Sequence, residues 1–359
     1  MRVAGYFLVF AIPLLVIAGA RAGAWYSGAA ILFVFGVVPL LDAWVGRDAR
    51  NPEASPSASR WHFDVPLVTW VIVQLLVEVW LVARTSHAIS IASRLDVSSV
   101  LAIVSLGLMT GGIGITIAHE LMHRPQRWAR ALAELLMSSV AYAHFCVEHV
   151  HGHHRNVATP EDPASSRLGE SLWAFLPRTV VGGFASAWGI EAERMRRAGR
   201  PALHPSNRML RYAAVQAVVI GLLAATLGAV GVAVYLAQAA VAIAMLEIVN
   251  YVEHYGLVRA RGAEGRYERV APRHSWNANH RVSNWLLFNL QRHSDHHYLA
   301  SRPYDALRHH DDVPQLPAGY ATMVLLALVP PLWRRVMDPR VAAARAEFFA
   351  PPAAAASRS

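Results

Sequence analysis

The sequence predicts an all-α integral membrane protein of six transmembrane helices, capped on the cytoplasmic side by histidine-rich segments. Three observations carry this. The 359-residue chain is 55% hydrophobic with a mean hydropathy of +0.30. Only 16% of its residues are charged, against roughly 25% in soluble domains. Its 18 histidines are mostly gathered into short clusters at the ends of long apolar runs.

Six runs approach the roughly 20 apolar residues that a spanning helix needs: about 4–20, 24–45, 65–83, 97–118, 209–231 and 232–253. The first is short, and Ala20-Arg21-Ala22 imitates a signal-peptide cleavage site. The next run follows after three residues, which suits a helical hairpin, so the first is counted as a span. With a cytoplasmic N-terminus, the external loops hold only Arg21, Arg84 and Arg94. The other 30 basic residues, all arginine, then face the cytoplasm, as the positive-inside rule requires. Both termini are therefore expected inside. The pI of about 10.2 reflects this orientation, and no nucleic-acid partner is implied.

A single membrane-embedded domain is expected over 1–359. Its cytoplasmic segments are 119–208 and 254–345. Residues 131–147 and 171–190 should form helices packed on the bundle or lying at the interface. Residues 320–333 are too short and Pro-broken for a span, and 346–359 reads as a disordered tail. Cys146 is the one cysteine. It excludes a disulfide framework, a four-cysteine zinc site and an iron–sulfur centre within this chain, and is read as a packing residue.

The histidine clusters are "HELMHR" from His119, "EHVHGHH" from Glu148, "EHYG" from Glu253 and "LQRHSDHH" from Leu290. All four fall on the same side of the predicted membrane. His119 and His123 are i, i+4 and share a helix face, as do His149 and His153. His154 lies about 100° round and is expected to reach a second ion. His293, His296 and His297 are i, i+3, i+4. Nine imidazoles exceed the coordination of one ion and suit two. Glu120, Glu148, Asp162, Glu253 and Asp295 are placed to accept the second ring N–H of a ligand histidine and fix its tautomer. His62, His87, His204, His309 and His310 stand apart as surface or capping residues. Two rival readings exist. H-E-x-x-H is also the signature of an intramembrane zinc protease, with Glu120 as general base. A metal transporter would instead string its histidines along a path through the bilayer midplane.

The clusters resemble those of membrane-bound alkane monooxygenases, a branch of the integral-membrane histidine-rich diiron proteins that includes desaturases and xylene monooxygenase. The likeness runs in order through "PLLDA" (39–43), "HELMHR" (119–124), "EHVHGHHRNVATPEDPASSRLGES" (148–171), "NYVEHYGL" (250–257), "HSWNANHRVSN" (274–284) and "LQRHSDHH" (290–297). It covers roughly residues 30–340. The resemblance implies six transmembrane helices in the bacterial inner membrane. It implies a cytoplasm-facing site for two iron ions held by His119, His123, His149, His153, His154, His254, His293, His296 and His297. Their division between the irons stays open. It also implies a hydrocarbon channel in the bundle and the conversion of alkanes and O2 to primary alcohols. No flavin, nicotinamide or iron–sulfur motif is present, so electrons must come from outside. The family's donor is rubredoxin, reduced by an NADH-dependent rubredoxin reductase. Arg194, Arg196, Arg197 and Arg200 are candidates for steering an acidic donor.

Val34 and Val38, one turn apart before "PLLDA", are expected to line the channel. Met122 and Arg124 replace the usual glycine and lysine of the first box, and Tyr298 replaces an alanine after the last. The Met-Arg form is similar to xylene monooxygenases. Met122 is thus expected near the substrate, and a methyl hydroxylase of alkyl-aromatic substrates is the alternative reading.

Overall fold

The computed structural model describes residues 3–52, 61–262 and 264–349. Among them, helix dominates and pairing of extended chain is limited to isolated bridges. α1 (Val3–Ala22) and α2 (Ala24–Val45) form the predicted hairpin. Gly23 makes the turn at φ 73°, a left-handed conformation that glycine adopts without steric cost. In α2 the stretch Phe33–Val37 widens into a π-helix just before Pro39. Pro39 has no N–H for an α-helical bond to Phe35, and the wider turn takes up the break.

α3 (Trp61–Ala92) extends past the apolar run 65–83 at both ends. At the far end it continues through polar residues, where Ser86 Oγ donates to Val82 O at 2.6 Å. α4 (Val97–Met122) begins at Asp96, whose side chain accepts the Ser99 N–H at 2.8 Å. It then passes through a π-helical stretch, Met109–Gly114.

After a turn at 123–126, α5 (Arg127–Ser139) packs back against the end of α4. Helix expected to continue to residue 147 stops at Ser139, because Ala141 turns left-handed (φ 55°). The chain restarts as α6, residues 145–156. α7 (Leu172–Arg197) is capped by the Ser171 hydroxyl.

α8 (Arg208–His254) is a single 47-residue run interrupted at Gly228 (φ 67°, ψ −166°). The break expected near 231–232 sits three residues earlier, at the residue that tolerates a positive φ. Among the described residues five helices are thus long and apolar enough to cross a membrane, the fifth carrying this interruption. Their outward residues are apolar: Leu76 is 67% exposed and Leu222 is 61% exposed, as lipid-facing positions should be. Three short helices follow, α9 (Arg281–Leu286), α10 (His293–Tyr298) and α11 (Tyr320–Ala327), and then the 19-residue α12 (Pro330–Phe348). Helix α12 runs into the segment read as a tail, and residues 350–359 lie outside the described residues.

The spans pack through small residues and buried polar groups. A Cβ on Gly111 of α4 would lie 2.5 Å from Ala242 Cα of α8, so glycine there sets the approach of the two backbones. Beside it, Thr110 Oγ1 donates to Gln238 Oε1 (3.0 Å), and Gln238 Nε2 donates to Glu78 Oε1 (3.2 Å). Two ties orient the bundle. At one end Ser105 Oγ donates to Ser27 O at 2.7 Å, joining α4 to α2. At the other, Asp42 of α2 accepts the backbone N–H (3.0 Å) and hydroxyl (2.5 Å) of Ser283 in α9. The histidine segments all assemble at this second end.

Candidate metal centre

Each histidine arrives on a different support. α4 ends in His119 and the turn after it holds His123. α6 carries His149, His153 and His154, α8 ends in His254, and α10 carries His293, His296 and His297. Together they form two groups that could each hold a metal ion. One is His119, His123, His149, His154 and His296, and the other is His153, His254, His293 and His297. Within each group one nitrogen of every ring lies within 4.8 Å of the others. The shortest approaches are His149 Nε2 to His154 Nε2 and His154 Nε2 to His296 Nε2, both 3.0 Å, and His254 Nε2 to His293 Nε2 and His153 Nε2 to His297 Nε2, both 3.2 Å.

The expected pairing inside "EHVHGHH" is corrected. His149 and His153 do not serve one group; His149 pairs with His154 instead. The cause is that His149–His153 is π-helical. Bonding to i+5 brings i and i+5 onto one face, where an α-helix would align i and i+4. His151 is exposed and belongs to neither group.

The rings are suited to ligation by their surroundings. His149, His154, His293, His296 and His297 are held well below their ordinary pKa by burial and then by neighbouring rings. His123 is pushed down to about 3. Neutral rings keep a lone pair for metal. Nε2 of His119 and of His123 are buried without a hydrogen-bond partner, so these two nitrogens are aimed at one another's space with nothing to satisfy them. His153 differs. Burial lowers its pKa, yet Asp162, 2.8 Å from Nδ1, more than offsets this. That contact turns Nε2 towards its group.

The five carboxylates divide. Asp162 holds His153, and Glu253 Oε1 lies 3.2 Å from His293 Nδ1 while accepting the Tyr320 hydroxyl at 2.8 Å. The other three do not bond a grouped histidine. Glu120 is turned into an ion pair with Arg124 and accepts the Tyr304 N–H at 3.1 Å. Asp295 is held by Arg302 and His310. Glu148 meets Ser186 Oγ at 3.4 Å, and burial followed by the charge of Asp162 raises its pKa to about 8. With Glu120 turned away, the H-E-x-x-H segment lacks the free general base that a zinc peptidase uses. Cys146 is buried and its thiol is pushed up by burial, in keeping with a packing role.

A cavity runs from His119, His149 and His293 into the spans, lined chiefly by apolar side chains. Val34 and Val38 are on its wall. Met122 is not; it is buried in the core. Sequence reasoning missed Glu247, whose carboxyl accepts from Tyr142 Oη (2.9 Å), Thr179 Oγ1 (2.8 Å) and Asn250 Nδ2 (3.1 Å). A lone carboxylate in an apolar run was the available signal.

A helical membrane bundle whose end gathers two histidine groups defines a class of membrane oxidoreductase, and the fatty acid desaturase family model matches residues 97–327, which contain all four clusters. Among curated relatives, the chain is 47% identical over 318 residues to alkane 1-monooxygenase 2 of Pseudomonas aeruginosa, covering 87% of this chain and 83% of that one. It is 41% identical over 357 residues to alkane 1-monooxygenase 2 of Alcanivorax borkumensis, covering 96% and 92%. The hydroxylase component of xylene/toluene monooxygenase from Pseudomonas putida is 31% identical over 231 residues, covering 64% and 61%. The chain belongs to the alkane 1-monooxygenase family.

Proposed function

We propose that this chain hydroxylates the terminal methyl of alkanes to primary alcohols. The supporting observation is the apolar cavity that ends on both histidine groups. In this reading two iron ions are bound, one by the five-histidine group and one by the four-histidine group. When bound, the irons supply the reductive activation of O2 that side chains cannot perform.

The chain's own residues do the rest. The cavity takes an alkane from the bilayer, excludes water and presents one end of the chain to the histidines. Asp162 fixes the His153 ring from behind, and Glu253 places a carboxylate beside His293. Electrons come from rubredoxin, reduced by its NADH-dependent reductase. Counting the two parts of α8 separately gives six spans, with both termini and the metal centre on the cytoplasmic side of the inner membrane. The arginine bias supports this orientation: of 33 arginines only Arg21, Arg84 and Arg94 lie in the loops at the end away from the histidines.

The residues that suggested an alkyl-aromatic substrate do not touch the cavity. Met122 is in the core, Arg124 pairs with Asp64 and Glu120, and Tyr298 is 58% exposed. They therefore lend that alternative no structural support. The deciding experiment is metal analysis of purified protein, then reaction with rubredoxin, its reductase, NADH and a panel of alkanes and xylenes. About two irons per chain and 1-alkanols are expected. One zinc with peptidase activity, or products from xylenes alone, would overturn the proposal.

A further inference from the structure

We infer that Glu247 is a positioning and relay residue that delivers protons to the substrate cavity through a water-holding pocket beside it. The inference rests on the proposed hydroxylation. That reaction joins R–H, O2, two electrons and two protons to give R–OH and water. The donor supplies the electrons, but the protons must reach a site enclosed by apolar side chains.

Glu247 lies seven residues before His254 on α8, roughly 10 Å along the helix. It is buried, and a carboxyl inside a span is costly unless it has a use. Its contacts are Tyr142, Thr179 and Asn250, all neutral donors, with no cation among them. It borders a second, smaller cavity with room for about one water molecule, whose wall includes Tyr142, Glu148, Thr179 and Asn250. Four polar side chains around so small a space suit one ordered water. Asn250 and Phe145 line both this cavity and the substrate cavity. Asn250 therefore spans the partition, with its Nδ2 on Glu247. The half-buried Ser186 reaches the outer wall at Glu148.

In each delivery the carboxylate, held by three donors, takes a proton arriving through the small cavity. The O–H bond so formed then breaks as the proton passes to water beside Asn250, which restores the carboxylate. No oxidant or reductant takes part in this transfer.

Glu247→Gln keeps the shape and removes the exchangeable carboxyl proton. Iron content and the alkane KM should be unchanged, while kcat falls roughly tenfold or more. The solvent deuterium isotope effect on kcat should rise, and Glu247→Asp should recover part of the rate. A merely structural role would not move the isotope effect. Independently of turnover, a high-resolution structure of the metal-free protein should show ordered water between Glu247 and Glu148. Wild-type kcat and isotope effect in Glu247→Gln, or a dry small cavity, would overturn the inference. If that variant fails to fold, Thr179→Val should lower kcat in the same way; no change would count equally against it. Failure of the wild-type protein to form any alcohol would defeat the hydroxylase reading instead, leaving the water in the cavity to decide this one.

Discussion

Placing an indole in the cavity should shorten the alkane that the protein accepts, by an amount set by where along α2 it is placed. Val34 and Val38 both line the cavity. The tie of Ser27 to α4 fixes one end of α2 away from the histidines, and the tie of Asp42 to Ser283 fixes the other beside them. Val38 is therefore the nearer of the two to the metal centre. They are about one turn apart, roughly 5.4 Å. With C–C bonds near 1.5 Å, a zigzag hydrocarbon advances about 1.3 Å per carbon. Val38→Trp should thus set its limit about four carbons shorter than Val34→Trp. Excluding four methylenes from burial, at about 0.8 kcal/mol each, removes about 3 kcal/mol of binding. For alkanes just beyond the limit, that is roughly a hundredfold in kcat/KM. The assay is competition among an even-numbered alkane series, with alcohols separated by gas chromatography. An unchanged product range in both folded, iron-loaded variants would refute the reasoning, and so would a shorter limit in Val34→Trp than in Val38→Trp.

His151→Ala should keep its iron and most of its activity, because His151 is exposed and belongs to neither group; His153→Ala and His154→Ala should each lose iron, as metal analysis would report. Asp162→Asn removes the carboxylate behind His153 and should weaken binding at the four-histidine group by about 10- to 100-fold, read by chelator competition. Gly111→Val forces a Cβ to within 2.5 Å of Ala242 Cα. Neither backbone has room to move, so it should destabilise by about 1–3 kcal/mol or more, seen as a lower melting temperature in detergent with the metal centre's sequence untouched.

Much of the fold was legible because spanning a bilayer imposes a coarse rule. Runs of apolar residues need only be counted, and the hairpin at Gly23 and the break in α8 both followed from that. The nine grouped histidines were legible because cluster sequences are rare in an oily chain. Their partition was not. It depends on one extra residue in the turn at His149–His153, and composition carries no mark of a π-helix. The carboxylates failed for a related reason. Glu120 and Asp295 are near histidines in sequence, but Arg124 and Arg302 reach them first. Whether an acid serves a ring or an arginine is settled by side-chain reach across the fold. Glu247 stayed hidden because its partners Tyr142 and Thr179 are distant in sequence and carry no charge.

The π-helical turn acts as a sorter, sending consecutive histidines to separate destinations. At its waist is Gly152, where a Cβ would meet Glu148 Oε1 at 2.6 Å and Ile190 Cδ1 at 3.2 Å. Gly152 has no ligand atom, but a Cβ there would have to displace the flexible ends of the Glu148 and Ile190 side chains that lie against this turn. The sorting therefore depends on the packing behind the turn as well as on the histidines themselves.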